Sequence, residues 1–203
     1  MAILHLACIV EGDGEVSAVP VLLRRIIELV NPEVYADIKH PIRKQRSSLL
    51  RQGGLEDAIA LAIMELPAGP GAVLALIDAD QDCPKSLAPA LLERSRYTAG
   101  GRLPVAVVLA NHEFENWFIA AAESVAGYRG LRPDVIAPPD PESIRGAKEW
   151  LQKHMLSGKK YSPPIDQPRL ASRFDLSAAR RAPSFDKLYR EMERFCSRAV
   201  AIT

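Results

Sequence analysis

Two short, almost wholly apolar runs carry the first half of the chain, at residues 3–10 and 72–77. A third follows at 104–110, and residues 34–38 alternate weakly between apolar and polar. Each is the length of a strand, and the continuous runs predict strands buried on both sides. Between them the apolar spacing becomes helical. Val19, Leu22, Leu23, Ile26, Ile27 and Val30 place a helix over 16–30, which Pro20 requires to start near residues 16 to 18. Further helices are predicted over 55–66, 86–97 with Ser86 as cap, and about 113–126, and residues 39–46 read as a basic loop. This alternation predicts an α/β fold: a Rossmann-like parallel sheet of about four strands with helices on both faces. After residue 128 prolines become frequent. Helices at 143–156 and 184–198, with a polar loop at 158–168 between them, predict two parts: a core over 1–128 and a helical C-terminal extension over 129–203 packed on it.

Composition changes this picture little. A chain of 203 residues supports one substantial core. Its net charge of +1 means that any nucleic-acid surface must be a local patch. The three cysteines, Cys8, Cys83 and Cys196, are widely spaced, which argues against zinc or a disulfide framework and fits a reducing compartment. No apolar run reaches the ~18 residues of a membrane span, and no signal peptide is apparent, so the expectation is a cytoplasmic protein without membrane contact.

The chemistry sits where two strands end. Residues 3–10 run into Glu11-Gly-Asp-Gly-Glu15, and residues 72–77 into Asp78-Ala-Asp80-Gln-Asp82. Open α/β sheets build their sites beyond the carboxyl ends of strands. Carboxylates gathered in one crevice need a cation to remain ionised together. Oxygen ligands without nearby Cys or His favour Mg²⁺ or Mn²⁺. Glu11, Asp78 and Asp80 are the expected ligands, with Asp78 and Asp80 two apart and pointing the same way. Glu15, one helical turn from Glu11, reaches a second cation, and Asp82 and Glu113 are further candidates. Such a pair of cations suits phosphoryl transfer. Gly12-x-Gly14-x-x-Ser17 loosely mimics a dinucleotide fingerprint, but Glu11 and Glu15 would repel a pyrophosphate and the third glycine is missing. A receiver domain would want a lysine after the last strand, where Asn111-His112-Glu113 stands.

The ordered set Glu11-Gly12-x-x-Glu15 and Asp78-x-Asp80-x-Asp82 resembles the TOPRIM pattern of topoisomerases, bacterial primases and overcoming-lysogenization-defect nucleases. The whole chain resembles the DUF4276 family, a TOPRIM-like group, through residues 111–118, 159–162, 166–171 and 184–185. The resemblance implies a Mg²⁺-binding TOPRIM-type sheet and nuclease chemistry, often in phage defence beside an ATPase. It makes Glu11, Asp78 and Asp80 metal ligands, with Glu15, Asp82, Glu113 and Glu115 in support. It also implies a lysine against the scissile phosphate. Lys160 is the first candidate, ahead of Lys148 and Lys159. The basic run Lys39, Arg43, Lys44 and Arg46 is the candidate nucleic-acid contact, for DNA or RNA. Trp117 and Phe118 read as core. The expectation is a Mg²⁺- or Mn²⁺-dependent nuclease. The alternatives are a regulatory metal-binding partner of an ATPase and a metal-dependent nucleotide phosphohydrolase.

Overall fold

A computed structural model describes residues 2–202. Its centre is an all-parallel, five-stranded sheet: β1 (Ala2–Val10), β2 (Val34–Ile38), β3 (Ile42–Arg43), β4 (Gly71–Asp78) and β5 (Val105–Ala110). The order is β2-β1-β4-β5, with β3 carrying on beside β1 beyond the end of β2. In β1, Leu4, Leu6, Cys8 and Val10 face one layer, and Ala7 and Ile9 face the other. In β4, Leu74 and Leu76 are likewise opposed to Val73, Ala75 and Ile77. Both faces are covered, which is why these strands read as continuous apolar runs.

The helices are α1 (Asp13–Val30), α2 (Arg46–Leu50), α3 (Gly54–Glu65), α4 (Pro84–Ala99), α5 (Asn116–Ala120), α6 (Ala147–Lys153), α7 (Pro163–Ala171), α8 (Leu176–Ala179) and α9 (Pro183–Ile202). Leu49 of α2, Leu55 and Ile59 of α3, and Leu91 of α4 bury against one face. The opposite layer joins Leu22, Leu23 and Ile26 of α1 to Leu188, Met192 and Phe195 of α9. Residues 129–202 thus supply much of one face of the core. Among the described residues, no helix is long and apolar enough to cross a membrane.

Several predicted boundaries move, each for a local reason. Helix α1 starts at Asp13, so Pro20 lies two turns inside it. The Glu15 side chain reaches back to the Glu11 N–H and ties the first turn of the helix to the chain leaving β1. Residues 42–43 pair with Ile9 and Val10 instead of leaving the sheet. Helix α4 begins at Pro84, with Cys83 at its N-cap. The expected helix over 113–126 is reduced to α5 and a 3₁₀ turn at Ala122–Val125. That over 143–156 is reduced to α6 after a 3₁₀ turn at Pro141–Ser143. The expected loop over 158–168 contains the start of α7, whose Pro163 and Pro164 occupy its first two positions, where a missing N–H costs nothing.

From β1 the chain winds outward through α1 to β2, whereas β4 winds the other way through α4 to β5. The direction therefore reverses between β1 and β4. Beyond their carboxyl ends lies the crevice that open sheets use for ligands.

Candidate functional site

Glu11 leaves β1, the chain turns at Gly12, and α1 begins. Glu15 is the third helical residue, and its Oε2 accepts a hydrogen bond from the backbone N–H of Glu11 at 3.1 Å. The bond is like the reach-back of a capping box but lands one residue ahead of the N-cap, Gly12, and has no Ser or Thr to answer it. Asp13 and Glu15 also sit where the helix dipole favours negative charge. Gly14 is required by close packing: a Cβ there would lie 2.1 Å from Gln167 Oε1 and 2.7 Å from the Pro163 carbonyl oxygen. Asp78 ends β4 and is only 8% exposed. Its Oδ1 accepts from the Phe114 N–H at 2.8 Å, tying the end of β4 to the loop after β5.

That loop is held by a buried network. Ser184 Oγ accepts from Trp117 Nε1 at 2.7 Å and from the Asn111 N–H at 3.2 Å, and Glu142 accepts from the Ser184 N–H at 2.9 Å. Asn116 donates to the carbonyls of Pro141 and Ile144. Trp117 and Phe118 are fully buried, as expected of core residues. The C-terminal segment thereby fixes the backbone that holds Asp78.

Glu11, Glu15, Asp78, Lys148, Gly14 and Gln167 line a cavity of about 310 Å³, which Gly12, Asp13, Pro163 and Pro164 complete. Burial pushes the Glu15 carboxyl up to about 7, aided by Glu115 and Glu11 and opposed by the backbone donors of Glu11 and Gly12. Burial raises Asp78 well above the usual carboxylate range, with Glu15 and Glu115 adding to it. Glu11 is raised by burial and then by Asp80. Burial disfavours the Lys148 ammonium, but Glu115, Asp78 and the hydrogen bond to Glu113 outweigh it, so Lys148 stays charged. It donates to Glu113 Oε2 at 3.0 Å and stands 3.4 Å from Glu115 Oε2, which makes no hydrogen bond. Glu115 is wholly buried, and its Oε1 accepts from Gln167 Nε2 at 2.8 Å and from the Tyr161 hydroxyl at 3.1 Å. Burial and the neighbouring Glu115 hold that hydroxyl protonated.

Of the predicted acids, Glu11, Glu15 and Asp78 meet in this cavity. Asp80 and Asp82 are drawn to Arg46, which ion-pairs with both and also donates to the carbonyls of Asp78 and Ala79. Asp78 and Asp80 do not point together, because the strand stops at Asp78 and Asp80 adopts a left-handed φ of 50°. His112 is left-handed too, at φ 60°, and each bonds the other: the Asp80 N–H donates to the His112 carbonyl, and His112 Nδ1 meets the Asp80 carbonyl. Two left-handed non-glycine residues bonded to each other carry an energetic cost of the kind found at functional sites. Glu113 is engaged by Lys148.

Lys160 is exposed and does not line the cavity; Lys148 does. Among the basic residues, Lys39 pairs with Asp37, Arg43 with Asp13 and Arg46 with the acids after β4, while Lys44 is exposed. Gln167 and Tyr161 escaped the reading of site residues because both lie in a stretch read as loop. Their one signal was that residues 159–162 and 166–171 carried the family resemblance.

The donor chemistry fits a hard cation. All the cavity's acidic ligands are oxygen, and Glu11 Oε2 is buried without a hydrogen-bond partner. A direct cage is not preformed: among the described residues, no three His, Cys, Asp or Glu side chains converge closely enough to hold an ion. Arg46 and Lys148 hold the acids that would have completed one.

No curated protein and no solved structure matches the chain. A family model, described as a domain of unknown function, matches residues 10–193, which span both acidic strand ends, the loop after β5 and the segment bearing Lys148, Tyr161, Gln167 and Ser184. On that match, the chain belongs to the DUF4276 family.

Proposed function

We propose that this pocket binds Mg²⁺ or Mn²⁺ and hydrolyses nucleic-acid phosphodiesters. The observation that carries the reading is that Glu11, Glu15 and Asp78 line one pocket at the reversal of the sheet, beside a charged lysine. Glu11 and Asp78 would hold the cation, which supplies an activated water and a counter-charge for the leaving oxygen. Glu15, with its carboxyl at about 7, can take or release a proton near neutrality. Lys148 brings a fixed positive charge to a phosphate entering the cavity. The resemblance to TOPRIM nucleases supports the same chemistry and adds an ATPase partner and a role in phage defence to the proposal.

A second reading, hydrolysis of a mononucleotide or similar small phosphate ester, draws support from one observation. Three of the four candidate nucleic-acid-binding cations are held in ion pairs. The test is cleavage of plasmid DNA, RNA and nucleoside triphosphates with Mg²⁺ or Mn²⁺, wild type against Asp78→Asn. Cleavage of polymer by wild type alone is expected. Cleavage of nucleotides alone selects the second reading. Cation binding without turnover of any substrate points instead to a regulatory subunit.

A further inference from the structure

Gln167 is 3% exposed, and its Oε1 has no hydrogen-bond partner. The orientation of its amide follows from chemistry. Glu115 Oε1 offers only lone pairs, so the group 2.8 Å from it must be the Nε2 donor, and the acceptor end faces away from Glu115. It lies over Gly14, at the lip of the cavity that both residues line. Glu11 Oε2, also buried, is a second acceptor in that cavity without a donor. Apart from the ammonium of Lys148 and the Gln167 Nε2 already given to Glu115, the polar side-chain atoms lining the cavity are carboxyl and amide oxygens. A group that satisfied Gln167 Oε1 and Glu11 Oε2 together would bring positive charge and outward-pointing donors.

A bare cation meets only part of that demand, since among the described residues no three His, Cys, Asp or Glu side chains converge closely enough to strip it of water. A hydrated one meets all of it. Mg²⁺ sheds water reluctantly and commonly keeps several waters in proteins. Six waters occupy roughly 180 Å³ at liquid density, and the cavity of about 310 Å³ admits such an ion with its shell. We propose that the cavity takes its divalent cation as a hydrated ion and that Gln167 Oε1 accepts a hydrogen bond from the shell. This rests on the pocket being a cation site, and not on hydrolysis. It gives α7 and the residues just before it a part in the site: Tyr161 and Gln167 fix Glu115, and Glu115 in turn aims the free end of Gln167.

Cobalt(III) hexaammine tests the inference. Its ammines do not exchange, so it donates hydrogen bonds like a hydrated Mg²⁺ but cannot coordinate a carboxylate directly. Mg²⁺ is titrated into the full chain by calorimetry, with and without the complex, and Gln167→Met is titrated alongside with its thermal melt recorded. The expected result is competition for one site in wild type, and a roughly three- to tenfold weaker affinity for both ions in the variant, the scale of one hydrogen bond. Mg²⁺ binding that a large excess of the complex fails to displace would overturn the hydrated-ion inference and leave the cation site standing. Wild-type affinities in Gln167→Met would overturn the part given to Gln167. Binding of neither ion would overturn the inference and the cation site together. The competition in wild type decides even if the variant does not fold.

Discussion

Replacing Gly14 by alanine puts a methyl carbon 2.1 Å from Gln167 Oε1 and 2.7 Å from the Pro163 carbonyl oxygen. Contacts of carbon with oxygen settle near ~3.3 Å, so α7 must back away from α1 by about 1 Å or Gln167 must swing aside. The first is overpacking, which costs roughly 1–3 kcal/mol. The second breaks the bond to the buried Glu115, at a similar cost. The better helix propensity of alanine returns at most about 1 kcal/mol. The net loss should be about 1–2 kcal/mol, or a fall of roughly 2–8 °C in Tm for a chain of this size. Urea denaturation and a thermal melt measure it, with Gly71→Ala as control. At Gly71 the nearest atom to an added Cβ is Leu66 Cδ1 at 3.4 Å, and no loss is expected. A Gly14→Ala protein as stable as wild type, or more so, would refute the close packing of α1 on α7 and with it the placement of Gln167 at the cavity.

Further outcomes follow from the same contacts. Because Glu15 holds its proton up to about 7 in the folded chain, against 4.5 ordinarily, the unfolded chain binds fewer protons between those values. Its contribution to stability is therefore lost as pH rises through that window; the stability of wild type minus that of Glu15→Gln should decline from pH 4.5 to 7 and then level, in urea titrations at a series of pH values. Ser184→Ala leaves Trp117 Nε1 without its acceptor and removes the hydroxyl beside Glu142, so a loss of about 2–3 kcal/mol is expected, read by tryptophan fluorescence. Lys148→Met strips the cation from the wholly buried Glu115. Breaking a buried pair costs several kcal/mol, but Lys148 is itself 41% exposed and solvent-screened, so about 1–3 kcal/mol is expected by urea denaturation. Lys160→Met, changing an exposed residue, should leave stability within about 0.5 kcal/mol.

The sheet was legible because its central strands are buried on both sides and so appear as unbroken apolar runs. The acids at the ends of β1 and β4 were legible by position alone. What lay beyond the last residue of a strand was not. The rule of two that pairs Asp78 with Asp80 stops at Asp78, where the left-handed backbone of Asp80 turns its carboxylate toward Arg46. Residues 158–168 read as a polar loop, yet Pro163 and Pro164 open α7 and Pro168 lies within it. That hid a helix and the Gln167 it carries. Lys148 and Lys160 could not be ranked by spacing. Only the packing of α6 beside α5 places the first near Glu113 and Glu115 and leaves the second outside. Three of the four basic residues read as a strand-binding patch answer acids of the chain itself, which a linear charge count cannot reveal.

The most direct test of a cation-dependent hydrolytic centre is a Mn²⁺ titration followed by electron paramagnetic resonance. It would be made on wild type and on Glu11→Gln with Asp78→Asn, and the same samples would be assayed for cleavage of DNA and RNA. Saturable binding of Mn²⁺ by wild type, with binding and cleavage both lost in the double variant, is the predicted result. Equal Mn²⁺ binding by both proteins, or binding by neither, would contradict it.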